Sequence, residues 1–558
     1  MAHMTNEAHA ARTTSGGTAR GLGAYYTPAA AAQYMATWAL RSSMDRVLEP
    51  SMGDGEFLRA VSVVAANANF GSLSVWGVEL ALETYADAVR SGFVDRERAL
   101  QRDFLGVKPF EVDVVIGNPP YVRLRHLPKD EARRAQEVSK AVLGVPMDPA
   151  GSVWMPFVLH ATRFLAPGGR LAFVLPYDLT YVRYARPLWK YLAAKFGSLR
   201  LVRVHERMFP EILQDVVLLL AEGFGGTTDD VDLEVFERRR DLGTMHPVTS
   251  ATIPVARVVE GERPFLEALL PHGLRELLTR LTRVTLPVRD VAGFNIGYVT
   301  GDKAFFHPDG ETVAKHGLPI SSLRPALISS RRLTGKGLWT AALQGPAAER
   351  LFLPPADRRA LSAGEIAYIA EGEKAGVHRR YKCRIRDPWY VTPGVRVPDL
   401  LIPVFADTPL MLVNDGAYAA SNSLLAGYLR AGTARQFASA WYSSLTLLQV
   451  ELNVHHLGGG VMVFVPQEAG AIRIAREVGA EEHLEVVDER LRAGDIDGAY
   501  AAGDFSILEE RLSLGAIDVR LIHDGIAILR HWRSARPGGL VEYIPEDEPR
   551  LEGRDHSV

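Results

Sequence analysis

The chain contains 558 residues, of which 47% are hydrophobic and 23% are charged, and its formal net charge is −3. These are globular values, and the length predicts roughly two to four domains. The near-neutral charge argues against a globally basic nucleic-acid binder but leaves room for a local basic footprint. Cys383 is the only cysteine, which excludes internal disulfides and a cysteine-cluster metal site.

The first 24 residues are small, polar and rich in glycine and threonine, and we expect them to form a disordered lead-in. They contain no apolar signal core, so export is not expected. No apolar run reaches about 18 residues, so no membrane-spanning helix is expected. A reducing cytoplasm is the predicted location.

A strand, a tight turn and a helix are predicted in succession where the folded chain begins. The strand ends at 46–50, the turn occupies 51–55, and helical periodicity covers 56–66. Glycines in the turn, Gly53 and Gly55, would let backbone N–H groups approach a ligand at the helix N-terminus. A plain strand-to-helix turn without a ligand is the alternative.

Further strands alternate with helices along the first half of the chain. The second strand, 75–79, ends in Glu79, where a Rossmann-like fold places its ribose-binding carboxylate; a helix N-cap acid is the alternative. Asp103 follows a third short apolar segment. Later strands are predicted at 113–117, 169–176, 199–206 and 215–221, with a helix at about 152–165. This alternation predicts a parallel, doubly wound sheet whose last two strands could be antiparallel.

The segment Asn118-Pro119-Pro120-Tyr121 directly follows the fourth predicted strand. Proline cannot continue a strand ladder, so the segment leaves the carboxyl edge of the sheet as a rigid loop, where open α/β sheets hold ligands. An amide oxygen and a fixed carbonyl can accept two hydrogen bonds from an exocyclic amine, and an adjacent aromatic ring can stack on the heterocycle. An ordinary strand exit is the alternative.

The stretch from about 25 to 224 resembles the catalytic domain of TaqI-type, gamma-class adenine-N6 DNA methyltransferases. The segments that match follow the order of that family: Tyr26-Thr27-Pro28, Leu48–Phe57, Gly77–Glu79, Asp103-Phe104, Asn118–Tyr121, Leu165–Gly169 and Met208-Phe209-Pro210.

The resemblance implies S-adenosylmethionine as the cofactor and gives each matched residue a role. Thr27 and Glu49 would hold its methionine end, Gly53 and Gly55 would let the backbone approach it, and Glu79 would bind its ribose. Asp103 would bind its adenine amine beside Phe104, and Ser51 lies in the same loop at a position that varies among relatives. Asn118 and the Pro119 carbonyl, in a loop completed by Pro120, would grip the target N6 amine. Tyr121 and Phe209 would sandwich the base, although core packing is the alternative for Phe209.

The second half is predicted to read DNA, because neither the short lead-in nor the roughly 60 residues between the cofactor turn and Asn118 could hold a recognition domain. A basic run interleaved with aromatics, typical of a phosphate-contacting surface, contains Arg379, Arg380, Lys382, Arg384 and Arg386. A solvated charged strand is the alternative. Arg331, Arg332 and Lys336 form a smaller candidate patch, and 293–301 and 457–466 loosely resemble parts of that family's recognition domain.

Two weaker features complete the second half. The adjacent pair His455-His456 suggests a metal site, but no acidic or cysteine ligand lies near it in sequence, so a polar surface pair is preferred. The segment 505–532 is predicted to be helical, and the acidic segment 542–555 is predicted to be loose.

Together these features predict a Rossmann-like S-adenosylmethionine-dependent methyltransferase domain at 25–245, with a mostly parallel seven-stranded sheet. An α+β DNA target-recognition domain with a C-terminal helical segment follows at 246–558. The predicted reaction is methylation of the N6 amine of a flipped-out adenine in duplex DNA, within a restriction–modification system whose endonuclease acts separately. No metal is required.

Three alternatives stay open. The chain could be a protein-glutamine or RNA methyltransferase with the same loop, although the long second half argues against those compact enzymes. It could be a fused nuclease–methyltransferase, although no nuclease core is evident. It could also be a non-catalytic DNA-binding specificity subunit, which the intact cofactor and Asn118 loops disfavour.

Overall fold

The computed structural model describes residues 27–533 except 72, 210–214, 331–332, 344–348, 458–459 and 477–480. The predicted lead-in at 1–24, Tyr26, Pro210, the Arg331-Arg332 pair and the acidic segment 542–555 therefore lie outside the described residues. None of the helices in the described part is long and apolar enough to cross a membrane.

A nine-stranded sheet organises residues 27–254, which we name the catalytic lobe. Its strands are β1 (Arg46–Glu49), β2 (Ser74–Glu79), β3 (Ala99–Gln101), β4 (Val112–Gly117), β5 (Leu165–Pro176), β6 (Phe196–Val204), β7 (Val216–Phe224), β8 (Asp230–Phe236) and β9 (Thr249–Pro254). They are ordered β3-β2-β1-β4-β5-β7-β6-β8-β9 across the sheet.

The pairing confirms the predicted mostly parallel sheet and its antiparallel pair of β6 and β7, but the sheet has nine strands and not the predicted seven. Strands β3, β2, β1, β4 and β5 are parallel, whereas β7 lies antiparallel between β5 and β6. β8 is parallel to β6, and β9 is antiparallel to β8. The segment beyond 224 therefore adds two strands to the sheet, which continues to Pro254, past the predicted boundary at 245.

Helices cover both faces of this sheet, because its central strands are apolar on both sides. They are α1 (Ala29–Ala39), α2 (Glu56–Asn67), α3 (Leu82–Arg90), α4 (Lys129–Leu143), α5 (Trp154–Ala161) and α6 (Arg186–Ala193). One buried cluster joins α1, α2 and α3 to one face. A second cluster joins α4, α5 and α6 to the other face. The sheet is thus the middle layer of a three-layer α/β sandwich.

Residues 255–533 form a mixed α+β region, which we name the C-terminal lobe. Its helices are α7 (Val255–Glu260), α8 (Pro264–Glu267), α9 (His272–Leu281), α10 (Lys303–Phe306), α11 (Gly310–His316), α12 (Ala363–Lys374), α13 (Tyr381–Arg384), α14 (Ala434–Trp441), α15 (Ser444–Asn453), α16 (Pro466–Ala471), α17 (His483–Arg492), α18 (Ile496–Ala501) and α19 (Ala516–Arg533). A π-helix at Phe505–Arg511 precedes α19, so the prediction of a helical segment there is confirmed.

The strands of this lobe are short and form small sheets. They are β10 (Thr285–Pro287), β11 (Ala292–Ile296), β12 (Leu323–Leu327), β13 (Arg350–Phe352), β14 (Leu400–Pro403), β15 (Phe405–Ala406), β16 (Leu412–Val413), β17 (Ala419–Ala420), β18 (Leu424–Leu429), β19 (His455–His456), β20 (Met462–Val463) and β21 (Arg473–Ala475). One buried cluster runs from the catalytic lobe into this lobe, where Trp189 packs on Phe265 with ring centroids 5.6 Å apart. A separate cluster surrounds Phe305 and Tyr368.

A buried ion pair fixes the amino edge of the central strands. Arg170 in β5 donates from Nη2 to Asp45 Oδ1 at 2.9 Å, and the two side chains are 9% and 8% exposed. Asp45 Oδ2 also accepts the backbone N–H groups of Arg41 and Ser42. Asp45 directly precedes β1, so this pair connects strands that lie on either side of β4.

Replacing Asp45 with alanine is expected to lower the free energy of unfolding by roughly 3–5 kcal/mol, because Arg170 would stay buried without its carboxylate. Urea denaturation followed by tryptophan fluorescence measures the loss. The control is Asp87→Ala, which removes an exposed partner of Arg90 and should cost about 1 kcal/mol or less. Equal losses in the two variants would contradict the structural role of the buried pair.

Candidate active site

Two backbone N–H groups in the turn between β1 and α2 donate hydrogen bonds to residues of β2. Met52 N donates to Val78 O at 3.0 Å, and Gly53 N donates to Glu79 Oε2 at 3.1 Å. Gly53 and Gly55 have φ values of 51° and 77°, a left-handed conformation that favours glycine. A Cβ atom at either position would meet no atom within 4 Å, so space for a ligand lies over the turn.

Glu49 ends β1 beneath this turn and is 1% exposed. Its Oε2 atom has no hydrogen-bond partner among the described residues. Burial, together with the negative charges of Asp54 and Glu79, raises the pKa of Glu49 well above its usual range. A cationic ligand would offset the free-energy cost of the charged form of Glu49 in this buried position. The methionine end of S-adenosylmethionine carries an ammonium and a sulfonium group, so the buried Glu49 carboxylate fits that cofactor.

The two other predicted cofactor carboxylates also lie at this edge of the sheet. Glu79 ends β2, and its Oε1 accepts the Ala81 N–H at 2.9 Å. Asp103 follows β3, and its Oδ1 accepts the Leu105 N–H at 3.0 Å. Each carboxylate oxygen keeps a second lone pair, so both side chains can accept further hydrogen bonds from a ligand.

Arg134 in α4 was not identified from the sequence, yet it contacts this site. Its Nε donates to Asp103 Oδ2 at 2.7 Å. One oxygen of the carboxylate that would bind the cofactor adenine therefore already accepts a hydrogen bond from an arginine. Arg134 shows no motif spacing, and only the packing of α4 brings it there. Phe104, the predicted pocket residue, is buried against Phe157 and Phe164.

The Asn118 loop leaves β4 beside the cofactor turn. Ser51 Oγ donates to the Asn118 carbonyl at 2.9 Å, and Asn118 Nδ2 donates to Thr27 Oγ1 at 3.4 Å. The Tyr121 hydroxyl lies 2.7 Å from Asn118 Oδ1 and 3.0 Å from the Val174 carbonyl. These contacts bring Thr27, Ser51, Asn118 and Tyr121 into one network. Pro119 is buried and Pro120 is half-buried.

Phe209 is 5% exposed and belongs to the buried cluster that Tyr121 also contacts. The structure thus packs Phe209 in the core, in the cluster that Tyr121 of the Asn118 loop contacts. Its role in stacking on a base stays a prediction.

The predicted basic run lies in the C-terminal lobe as a short turn and α13, not as a strand. Arg380 pairs with Asp302 at 3.0 Å, and Arg386 Nη1 donates to the Thr300 carbonyl at 2.7 Å, so these two side chains have internal partners. Arg379, Lys382 and Arg384 are exposed. A groove of about 600 Å³ beside this run is lined by Lys382, Arg386, Arg396, Asn295, Tyr298 and Tyr428.

The prediction that His455 and His456 form a polar surface pair is wrong. Both are partly buried between the lobes, where they stack on Tyr181 and Tyr177. His455 Nδ1 lies 2.7 Å from Glu468 Oε2. Burial lowers the pKa of His456 to about 3, so this imidazole is neutral. No sequence pattern predicts this burial, because the partner residues come from distant segments.

Two families of known proteins match this chain, one in each lobe. The family described as Eco57I restriction-modification methylase matches 83–209. The family described as type II methyltransferase M.Eco57I, C-terminal domain, matches 262–508. The second match begins shortly after β9, where the large sheet ends.

Two curated relatives align over most of the chain. The type II methyltransferase M.PaeR7I of Pseudomonas aeruginosa is 26% identical over 498 residues, covering 79% of this chain and 82% of the relative. M.AccI of Acinetobacter calcoaceticus is 20% identical over 408 residues, covering 70% and 73%. A solved structure of the type IIL restriction-modification enzyme MmeI in complex with DNA has a TM-score of 0.48 and 11% identity, covering 89% of this chain and 71% of that one.

The two-lobed α/β fold, the open glycine turn and the methylase matches define the class. They confirm the resemblance to DNA methyltransferases of type II restriction–modification systems. The methylase match also supports S-adenosylmethionine as the cofactor, in agreement with the buried carboxylate beneath the turn.

Replacing Glu49 with glutamine is expected to weaken S-adenosylmethionine binding and to remove its pH dependence. Because the pKa of free Glu49 is raised, the carboxyl group holds its proton to a higher pH than usual. A bound cation favours the carboxylate, so the affinity of the parent protein should rise with pH. Calorimetry between about pH 5 and pH 7, below the titration of an α-amino group, measures this dependence.

Glu83→Gln, an exposed change in the first turn of α3, is the control and should keep the parent's affinity and pH profile. An affinity of the parent that stays constant over this range would place Glu49 outside the cofactor site.

Proposed function

We propose that this protein transfers a methyl group from S-adenosylmethionine to the N6 amine of adenine in duplex DNA. The hydrogen bond from Ser51 in the cofactor turn to the Asn118 carbonyl carries the proposal. It joins the segment that faces the methyl donor to the segment that would hold the acceptor amine. β1 and β4 are adjacent and parallel, so both segments leave the same edge of the sheet.

The Asn118 loop has the groups that this reaction needs. The lone pair of an adenine amine is delocalised into the ring, which makes the amine a poor nucleophile. Asn118 Oδ1 and the Pro119 carbonyl would accept hydrogen bonds from its two N–H groups and favour a more tetrahedral nitrogen. S-adenosylmethionine supplies a methyl group on a good leaving group. Correct placement of reactants can contribute about 7–11 kcal/mol, so no metal and no nucleophilic side chain is required.

Tyr121 occupies one of the two lone pairs of Asn118 Oδ1, and the second could accept a hydrogen bond from the amine. The Tyr121 hydroxyl carries a single hydrogen, and two acceptors compete for it: Asn118 Oδ1 at 2.7 Å and the Val174 carbonyl at 3.0 Å. When the O–H group turns toward the Val174 carbonyl, both lone pairs of Asn118 Oδ1 become available and the hydroxyl stays hydrogen-bonded. The Tyr121 ring stays beside the loop, where it can stack on the base.

The target base would have to leave the duplex, because a stacked base cannot reach a loop at the sheet edge. We assign the stacking to Tyr121 and Phe209, whose rings can offset part of the unstacking energy. Because Phe209 is 5% exposed, stacking would require its ring to become accessible to the base.

We assign DNA recognition to the C-terminal lobe, with the domain boundary after β9. The exposed side chains of Arg379, Lys382 and Arg384 can contact phosphates, and the adjacent groove presents polar and aromatic groups suited to base edges. In a restriction–modification system the partner would be an endonuclease that acts on the same sequence.

Asn118→Ala is expected to abolish methyl transfer while S-adenosylmethionine affinity stays within a few fold, because this side chain faces the base and not the cofactor. Labelled S-adenosylmethionine is supplied with duplex DNA, RNA or protein, and digested DNA is analysed for N6-methyladenine. Asn67→Ala, an exposed change at the end of α2, is the control. Turnover by the Asn118 variant near that of the control, or methylation of RNA or protein alone, contradicts the proposal.

Neutralising Lys382 or Arg384 to glutamine is expected to reduce the salt slope of log K for duplex DNA by about 0.9 each, through the loss of counterion release. Filter binding over a range of salt concentrations measures the slope. Arg90→Gln, in α3 of the catalytic lobe, is the control and should leave the salt slope unchanged. Parent-like slopes in both test variants would mean that the run is a solvated surface.

A further inference from the structure

Three potential metal ligands meet where the end of α19 touches the catalytic lobe: His205, Glu237 and His531. β6 and β8 are parallel, with Val204 opposite Phe236, so His205 and Glu237 leave the two strands side by side. The backbone N–H of His205 donates to the Phe236 carbonyl at 2.8 Å and fixes this arrangement. His531 comes from the last turn of α19, where the helix dipole favours a cation.

The spacing of the ligand atoms fits a small divalent ion. His205 Nδ1 lies 3.2 Å from Glu237 Oε2, and His531 Nε2 lies 3.4 Å from the same oxygen. In a tetrahedral zinc site with ligand bonds of about 2.0–2.1 Å, neighbouring ligand atoms are about 3.3 Å apart. The two observed separations match this spacing, and all three ligand atoms lie within 4.8 Å of one another.

The hydrogen bonds of His205 support the same conclusion. His205 Nε2 lies 2.6 Å from the His531 carbonyl, which can only accept, so Nε2 carries the hydrogen. In the neutral imidazole the Nδ1 lone pair then faces the Glu237 carboxylate, a repulsive contact unless a proton or a metal ion lies between them. Metal-bound histidines usually donate their second N–H to a carbonyl or carboxylate in this way.

We propose that His205, Glu237 and His531 bind a divalent ion of the zinc class, which fastens the C-terminal helix to the catalytic lobe. The two imidazoles and one carboxylate are ligands that Zn²⁺ accepts. The Glu237 and His531 side chains are 39% and 54% exposed, so the ion can enter from solvent and keep a water as its fourth ligand. The two histidine rings, now 4.0 Å apart, would open slightly to admit it.

The position of this site gives it a structural purpose. Beside it, Arg203 donates from Nη2 to the Trp532 carbonyl at 3.2 Å and stacks on Tyr177, the residue that follows β5 at the active-site edge. An ion bound to His531 would hold α19 against this edge. The inference does not depend on the proposed methylation, because it concerns only binding and stability.

Zinc binding by the purified full chain tests the proposal. His3 and His9 are replaced by alanine in every sample, so that the N-terminal segment contributes no histidine ligand. Titration against a chromophoric chelator should give about one Zn²⁺ per chain. His531→Ala should weaken this binding roughly ten-fold or more. His272→Ala is the matched control, because it removes an exposed histidine beside Glu276 on α9 and should change nothing.

Thermal unfolding supplies a second readout. Zn²⁺ bound only by the folded state should raise the Tm of the parent and of His272→Ala, by mass action. It should not raise the Tm of Glu237→Gln, a variant that keeps the shape of the side chain and removes its charge. Absence of stoichiometric zinc binding in the parent, or equal binding by His531→Ala and His272→Ala, would overturn the proposal and leave a hydrogen-bonded bridge without metal.

Discussion

The parallel pairing of β1 with β4 is the constraint on which the candidate site depends. Val47 lies opposite Val114 and Leu48 opposite Val115, so the segments that follow both strands leave the sheet at one edge. Ser51 and Asn118 then come within a single hydrogen bond of each other. The buried pair of Asp45 and Arg170 holds the opposite edge, which stabilises the register that this contact requires.

The electrostatics of this edge follow from its acidic strand ends. Glu49, Glu79 and Asp103 end or follow three neighbouring strands, and the burial of Glu49 makes its charged form costly without a cation. The three carboxylates do not face the same conditions. Glu79 accepts backbone N–H groups and Asp103 is paired with Arg134, whereas Glu49 Oε2 has no partner in the described part of the chain. These differences among the three carboxylates match a ligand that has a cationic group near Glu49 and hydrogen-bonding groups near Glu79 and Asp103.

The two lobes are joined by packing as well as by polar contacts. A continuous buried cluster crosses between them, and Arg203, Tyr177 and His456 stack at their junction. The junction lies near the end of β5 and the start of β7. In the sheet order these two strands follow β4, the strand that leads into the Asn118 loop, on the side away from β1. This packing fixes the C-terminal lobe directly against the catalytic lobe.

The sequence by itself determined the alternation of strands and helices, the glycine turn and the Asn118 loop, because apolar periodicity, glycine and proline act over short distances. It also indicated the carboxylates at the strand ends. Only the tertiary structure decided that Arg134 pairs with Asp103, that Tyr121 bonds Asn118, and that His205, Glu237 and His531 meet. Apart from the Tyr121–Asn118 bond, which lies within one loop, these contacts join segments far apart in the chain, and their geometry depends on how helices and lobes pack, which no local pattern encodes.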